Sequence, residues 1–106
     1  VMLNHVNNEK LTLQRFVELT SFNPTNLFKI KGKGQIKIGF DADFTIVDMN
    51  KERKITNDWI LSKCGWTPYN GMDIKGWPVM TVIRNNIVMR EDVIADPLGK
   101  PMKFVR

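Results

Sequence analysis

Histidine and cysteine are the side chains best suited to bind a metal or act as a nucleophile, and this sequence contains one of each. A zinc site needs three or four converging nitrogen, sulfur or oxygen ligands, and His5 has no second histidine two to four residues away. We therefore expect a surface or packing role for His5. Cys64 would need a neighbouring base to become a nucleophile, and Lys63 is a weak candidate. A small apolar space-filling role is the better interpretation of Cys64.

Three aspartates, Asp41, Asp43 and Asp48, lie close together in the sequence. Paired carboxylates can perform acid–base chemistry or bind a hard cation. At a glycine-rich strand entry, however, aspartates more often hold backbone amides in a turn. We therefore interpret these three residues as structural and not as catalytic groups.

The lysines form one cluster, at positions 29, 31, 33 and 37. No aromatic side chain is interleaved with them, as a single-strand nucleic-acid binder would require, so we expect a solvated charged surface. Gly32-Lys33-Gly34 lacks the spaced glycines and the Gly-Lys-Ser/Thr ending of a phosphate-binding loop, which we exclude. The three rings Trp66, Tyr69 and Trp77 could stack on a ligand. Rings that lie among prolines and glycines more often cover a small core, so we predict that these three form a lid on the core.

The chain has 106 residues, a net charge of +5, 42% hydrophobic residues and 25% charged residues. These values are typical of a soluble domain with a thin core and argue against disorder and fibrous proteins. No run of eighteen apolar residues predicts a membrane span. The single cysteine cannot form an internal disulfide and fits the cytoplasm. The sequence shows no signal peptide. Because it opens at Val1 and not at a methionine, we expect an excerpt from a longer chain.

The first part of the chain has helical periodicity. Thr12 predicts an N-cap, followed by Leu13, Phe16 and Val17 on one face. Asn23 followed by Pro24 predicts the start of a second short helix. The glycines at 32 and 34 end this pattern.

From residue 35 the period changes to two, which predicts short strands. Ile36 and Ile38 predict a half-buried strand, residues 44–47 a second and residues 54–56 a weaker one. Residues 57–63 are compatible with a helical turn capped by Asn57. Residues 79–84 and 87–90 predict a β-hairpin with Asn85-Asn86 as its two-residue turn. Residues 102–105 are a candidate last strand, and the order of elements predicts an α+β fold.

Two motifs resemble the amidohydrolase superfamily. The first resembles the signature that closes these enzymes and reads Gly34-x-Ile36-x-x-Gly39-x-Asp41-Ala42-Asp43-x-x-Ile46-x-Asp48. Upstream, residues 23–28 resemble the Asn-Pro-Ala helix of the same enzymes, with Thr25 in place of alanine. The resemblance implies a small β-domain, made from both ends of the chain, beside a metal-bearing barrel.

A narrower resemblance, over about residues 10–105, is to dihydroorotases of the hydantoinase-related type. It is carried by Lys63-Cys64-Gly65-Trp66-Thr67-Pro68-Tyr69-Asn70-Gly71-Met72, Gly76-Trp77-Pro78-Val79, Thr81-Val82-Ile83-Arg84 and Pro97-x-Gly99-Lys100-Pro101-x-Lys103-Phe104. Asn85 and the turn after Arg90 stand where relatives more often have glycine, and both are loop changes.

This resemblance implies an enzyme that interconverts N-carbamoyl-L-aspartate and (S)-dihydroorotate in pyrimidine biosynthesis. Two zinc ions would activate the water and polarise the amide carbonyl. The family's metal ligands and catalytic aspartate lie upstream of Val1, so we assign no catalytic, cofactor-binding or metal-binding residue to this chain.

The implied architecture is the last barrel helices over residues 1–31, followed by a β-sandwich-like composite domain of short strands over residues 32–106. The expected partners are the barrel portion of the same enzyme, a small-molecule substrate and a second copy in a homodimer, without nucleic acid or membrane. A dihydropyrimidinase or hydantoinase tail, a non-catalytic module and a basic nucleic-acid binder remain alternatives.

Overall fold

A computed structural model describes residues 1–105 and places three α-helices and a π-helical segment before the sheet, with a 3-10 turn between the first two strands. The helices are α1 (Met2–Asn7), α2 (Leu13–Val17), a π-helical segment (Glu18–Phe22), α3 (Asn23–Leu27) and a 3-10 turn (Asn57–Trp59). The strands are β1 (Phe44–Lys54), β2 (Asp73–Ile83), β3 (Asn86–Arg90) and β4 (Val93–Ile94). They form one antiparallel sheet in the order β1-β2-β3-β4. Helices followed by a small sheet agree with the predicted α+β order, whereas the sandwich-like arrangement stays a prediction.

The helical residues from α2 to α3 form one continuous stretch. The Thr12 side chain accepts a hydrogen bond from the Arg15 amide at 3.1 Å, which confirms the predicted N-cap. The prediction that Asn23 caps a second helix is wrong, because Asn23 itself has helical angles (φ −66°, ψ −43°). Pro24 lacks an amide hydrogen and its ring crowds the preceding turn. The wider π-helical turn before it accommodates that residue without ending the helix.

Residues 28–43 form a loop where a strand was predicted. Ile36 and Ile38 are 88% and 101% exposed, so the expected half-buried strand is wrong. The loop closes on itself: the Asp41 amide donates to the Gly32 carbonyl at 2.8 Å. A strand needs a hydrogen-bonded neighbour, and alternating side chains alone do not supply one.

The pairing of β1 with β2 contains a wide irregularity. Asp48 lies opposite Trp77 and Glu52 opposite Lys75, so residues 49–51 of β1 face Gly76 alone. Extra residues on one strand interrupt the ladder and leave backbone groups without their usual partners.

Helix α1 covers this irregularity. The Asn7 side-chain amide donates to the carbonyl oxygens of Met49 (3.0 Å) and Lys75 (2.7 Å). The Asn4 side-chain oxygen accepts from the Lys75 amide at 3.0 Å. Leu3, on the same helix, is buried. The first helix is therefore joined to the sheet by side-chain hydrogen bonds as well as by apolar packing.

The β2–β3 hairpin is present, with its turn one residue earlier than predicted. Ile83 pairs with Asn86, and the two residues between them have positive φ (Arg84 45°, Asn85 64°). Positive φ at both central positions is the geometry of a type I′ turn. The predicted pair Asn85-Asn86 is therefore corrected to Arg84-Asn85.

Three weaker predictions are confirmed only in part. Ile55 extends the pairing of β1, since its amide donates to the Met72 carbonyl at 2.9 Å. Of residues 57–63, only Asn57–Trp59 are helical. Asn57 does not cap this turn; its side chain accepts from the Thr67 amide at 2.9 Å. Residues 102–105 contribute one bridge, between Phe104 and residue 30, instead of a strand.

The core of the chain is small. Its buried hydrophobic residues are Leu3, Ile55, Ile74 and Trp77. The accessible surface is 8194 Å², against about 6,100 Å² expected for a compact protein of this mass. The radius of gyration is 15.3 Å, against about 13 Å expected for this length. The chain thus exposes an unusual amount of surface for its size.

The predicted division into residues 1–31 and 32–106 stays a prediction; its last position, 106, lies outside the described residues. Within the described part, α1 packs directly on β2. None of the helices in residues 1–105 has the length and apolar character needed to cross a bilayer.

Candidate functional site

The most concentrated group of charges surrounds Lys33. Its ammonium lies 2.9 Å from an Asp41 carboxylate oxygen and also donates to Asp43. The other oxygen of Asp43 accepts from the backbone amide of Arg84 at 2.9 Å. Asp43 therefore connects the loop before β1 to the β2–β3 turn. The sequence interpretation grouped Lys33 with the solvated lysines, and this is corrected: its side chain is paired.

The electrostatics of this cluster follow from its hydrogen bonds. The bonds to Asp43 and then to Asp41 raise the pKa of Lys33, while its partial burial opposes this effect. The pKa of Asp43 is lowered, first by Lys33 and then by the Arg84 amide. Both groups are charged and committed to each other at neutral pH, an arrangement suited to fixing the backbone and poorly suited to accepting a proton.

We expect the variant Asp43→Asn to lower the free energy of unfolding by about 1–2 kcal/mol, because a charge-assisted hydrogen bond is lost from a partly exposed site. Urea titration at pH 7 measures this change. The more exposed Asp41 provides the matched variant Asp41→Asn, with an expected loss of about 0.5 kcal/mol or less.

The same variant tests the pH dependence. The folded pKa of Asp43 lies below its unfolded value, so its contribution is present above about pH 4 and is lost as the pH falls through the folded pKa. Asp43→Asn should consequently flatten the acid limb of the stability profile. An acid limb unchanged from the parent would contradict the assigned ion pair.

Asp48 takes no part in the Lys33 cluster. Its side chain is exposed and accepts a hydrogen bond from the Asn50 amide at 2.9 Å, within the irregular part of β1. Asp48 thus holds a nearby backbone amide, whereas Asp43 holds the amide of Arg84, 41 residues away, and the Asp41 carboxylate pairs with Lys33. The assignment of no catalytic residue to this chain stays a prediction.

His5 and Cys64 lie in different parts of the fold. His5 is half-buried on α1, and its buried Nδ1 atom has no hydrogen-bond partner within residues 1–105. Cys64 is exposed, so its predicted role as a core space-filler is wrong. A hydrogen bond with Ser62 (3.1 Å) lowers the pKa of the Cys64 thiol. Within residues 1–105, no three His, Cys, Asp or Glu side chains are grouped to hold a metal ion.

Trp77 is the centre of a second charged and aromatic cluster. It is 4% exposed and meets Trp59 edge to face, with ring centroids 5.0 Å apart. The Arg53 guanidinium lies 4.4 Å from the Trp77 ring centroid and pairs with Asp92. Arg53 is the main cause of the lowered pKa of Asp92. This cluster joins β1, β2 and the turn between β3 and β4.

The other two rings of the predicted lid are not in the core. Trp66 is 61% exposed and Tyr69 is 46% exposed. The prediction of a core lid is therefore correct for Trp77 and wrong for Trp66 and Tyr69.

A large apolar groove separates α2 from the sheet. Its volume is about 780 Å³, and Leu13 and Val17 at its edge are 50% and 47% exposed. Its apolar lining comes from α2 (Leu13, Phe16 and Val17), from the sheet (Val47 and Val82) and from Met102 in the segment after β4. Apolar surface of this extent is typical of a contact with further polypeptide.

The sequence matches the family model described as "Amidohydrolase family" over residues 1–88. A dihydroorotase from Pyrococcus furiosus is 48% identical over 101 residues, which are 95% of this chain and 23% of that protein. A dihydroorotase from Methanosphaera stadtmanae is 41% identical, over 87% of this chain and 21% of that protein. An allantoinase from Desulfitobacterium hafniense is 33% identical, over 96% and 23% respectively.

Among solved structures, an L-hydantoinase (dihydropyrimidinase) from Arthrobacter aurescens superposes with a TM-score of 0.85 and 32% identity, over 90% of this chain and 22% of that one. The chain spans less than a quarter of the length of these relatives. The family match covers most of the chain, and it includes α1, the Asn23-Pro24 helix and the Lys33 cluster. The chain belongs to the amidohydrolase family.

Proposed function

We propose that this chain is the C-terminal portion of a dihydroorotase, which interconverts N-carbamoyl-L-aspartate and (S)-dihydroorotate in pyrimidine biosynthesis. The identity of 48% to a dihydroorotase along almost the entire chain supports this substrate. Within that enzyme, the role of the chain is structural: it braces the catalytic barrel. The free thiol of Cys64 is compatible with a cytoplasmic location.

The open apolar groove is the observation that carries the structural role. Leu13, Phe16 and Val17 line it, and Leu27 and Phe28 at the end of α3 are 75% and 62% exposed. Contact with the barrel would remove these apolar side chains from water, which is favourable. The outer edge of β1 carries backbone groups that a further strand of a composite β-domain would satisfy.

The zinc chemistry of the proposed enzyme does not fit the donor set of this chain. A catalytic zinc site uses three protein ligands, and residues 1–105 offer one histidine and one cysteine in separate parts of the fold. The aspartates of the Lys33 cluster are already committed to Lys33 and to the Arg84 amide. We place the two zinc ions, the substrate and the catalytic groups in the remainder of the polypeptide.

The complete polypeptide that contains this chain, loaded with zinc, should hydrolyse dihydroorotate, whereas the 106-residue chain alone should show no rate above background. The fall in dihydroorotate absorbance and the amount of N-carbamoyl-aspartate formed measure the rate for each polypeptide. The reason is that this chain carries no grouped metal ligands among its described residues. Zinc-dependent turnover by the isolated chain would contradict the structural role.

The second candidate is a hydantoinase or dihydropyrimidinase, favoured by the TM-score of 0.85 to the L-hydantoinase. Dihydrouracil and hydantoin therefore serve as the comparison substrates. Because dihydroorotate carries a carboxylate, its site needs a cation such as arginine in a two-pronged contact. Turnover of the neutral rings without turnover of dihydroorotate would favour the second candidate. A complete polypeptide inactive on all three would favour a non-catalytic member of the family.

We also propose that the enzyme forms a homodimer. The barrel would cover one part of the exposed apolar surface, and a second copy of the enzyme would cover another part.

A further inference from the structure

A smaller cavity adjoins the apolar groove and shares Lys33, Arg84, Lys100 and Met102 with its lining. It lies where the C-terminal tail (residues 95–105) returns to the loop after α3. Its volume is about 260 Å³. Two backbone hydrogen bonds fix the tail there: the Lys31 amide donates to the Lys103 carbonyl at 2.8 Å, and the Val105 amide donates to the Lys29 carbonyl at 2.7 Å. The Arg84 guanidinium donates to the Leu98 carbonyl farther along the tail. The walls of the cavity are therefore positioned by the backbone.

Five basic side chains from three segments line this cavity. They are Lys31, Lys33, Arg84, Lys100 and Lys103, and the acidic residue of the lining is Asp41. Asp41 and Asp43 neutralise Lys33. Within residues 1–105, the other four cations have no carboxylate within ion-pair distance. Five cations against the two carboxylates Asp41 and Asp43 leave a net charge of three positive units around a concave surface, which concentrates a positive potential.

This arrangement differs from that of the other basic residues near the sheet. Lys51 pairs with Glu91 and Arg53 with Asp92. Arg84 also fixes the fold through its hydrogen bond to the Leu98 carbonyl, whereas Lys31, Lys100 and Lys103 are exposed and have no ion-pair partner among residues 1–105. Like charges along one concave surface repel each other, and a bound anion would offset that repulsion.

We propose that the tail cavity binds a small anion that carries phosphate groups. Lysine ammonium groups act as point charges that suit phosphate oxygens, and Arg84 adds a planar donor. A single carboxylate would use one arginine fork, whereas four cations from three segments suit a multivalent anion. The lining contains no aromatic side chain on which a nucleobase could stack, so a small phosphate compound fits better than a nucleic acid.

Isothermal titration calorimetry tests this proposal. Inorganic pyrophosphate is titrated at low salt into the complete polypeptide that contains this chain. We expect one binding site per chain. Removing each lysine should weaken binding about threefold, so the double variant Lys100→Ala/Lys103→Ala should lose about tenfold. The matched control, Lys10→Ala/Lys63→Ala, removes the same charge from exposed positions outside the cavity and should stay within about twofold of the parent. Circular dichroism checks that both variants fold.

Equal weakening in the two double variants would mean general attraction to a basic protein and would overturn the proposal. Failure of pyrophosphate to bind the parent would do the same. Binding of a single-stranded oligonucleotide without binding of pyrophosphate would assign the cavity to nucleic acid instead. Because the readout is binding, its outcome is independent of whether the polypeptide hydrolyses dihydroorotate.

Discussion

The variant Trp77→Ala should lower the free energy of unfolding by about 3–4 kcal/mol, since truncating a buried tryptophan leaves a cavity and removes apolar contacts. Trp77 is 4% exposed and belongs to the small buried cluster with Ile55 and Ile74. The loss also removes the edge-to-face contact with Trp59 and the Arg53 stack, which supports the Arg53–Asp92 pair. Among the residues that the structure describes, no other aromatic ring is buried, so none compensates for the loss.

Urea denaturation followed by circular dichroism measures the effect of Trp77→Ala. With a denaturant slope of about 2 kcal/mol/M, the midpoint should fall by about 1.5–2 M. Trp66→Ala is the matched control, because the same ring is 61% exposed there and its loss should cost about 0.5 kcal/mol or less. Trp77→Phe should recover part of the loss. Equal destabilisation by Trp66→Ala and Trp77→Ala would contradict the burial difference.

The different burial of Trp66 and Trp77 could not be predicted from the sequence. Both occur among glycines and prolines, so composition alone assigned them to one lid. The strand predicted at residue 79 begins at Asp73 in the structure, and the alternation from Ile74 is broken by the irregularity at Gly76. The backbone carbonyls at that irregularity accept hydrogen bonds from Asn7 of α1, far away in the sequence. A local pattern could not reveal it.

Two other elements show the same limit. The hairpin was predicted from its β-branched strands. Its turn is Arg84-Asn85 and not the predicted Asn85-Asn86, and the Arg84 amide donates to Asp43. Arg84 therefore has positive φ although arginine adopts it less readily than asparagine does, and its amide makes a tertiary hydrogen bond there. The strand predicted at Ile36 and Ile38 failed for the opposite reason: its alternation is clear, yet no neighbouring strand pairs with it among the described residues. Motifs located the Lys33 aspartates, but only the fold identified Lys33 as their partner.

The variant Gly34→Ala should lower the free energy of unfolding by about 3 kcal/mol, from backbone strain and steric overlap together. Gly34 has φ +89°, and a Cβ placed there would lie 2.4 Å from Thr25 Oγ1 and 2.8 Å from the Ser21 carbonyl oxygen. Ser21 belongs to the π-helical segment and Thr25 to α3. The loop therefore crosses the helix at a distance that leaves no room for a side chain.

Gly32→Ala separates the two causes, because Gly32 also has positive φ (70°) and its added Cβ would meet nothing within 4 Å. It should cost about 1 kcal/mol from backbone strain alone. Adding Thr25→Ala to Gly34→Ala should recover part of the overlap, although the Ser21 carbonyl remains. Urea titration of these variants decides between packing and strain: equal losses for Gly32→Ala and Gly34→Ala would exclude the overlap. Thr25 stands where the resembling motif has alanine, and its Oγ1 and Cγ2 are the atoms nearest to a Cβ added at Gly34, the first glycine of the other motif. The two motifs that identify the family are therefore the two sides of one helix–loop contact.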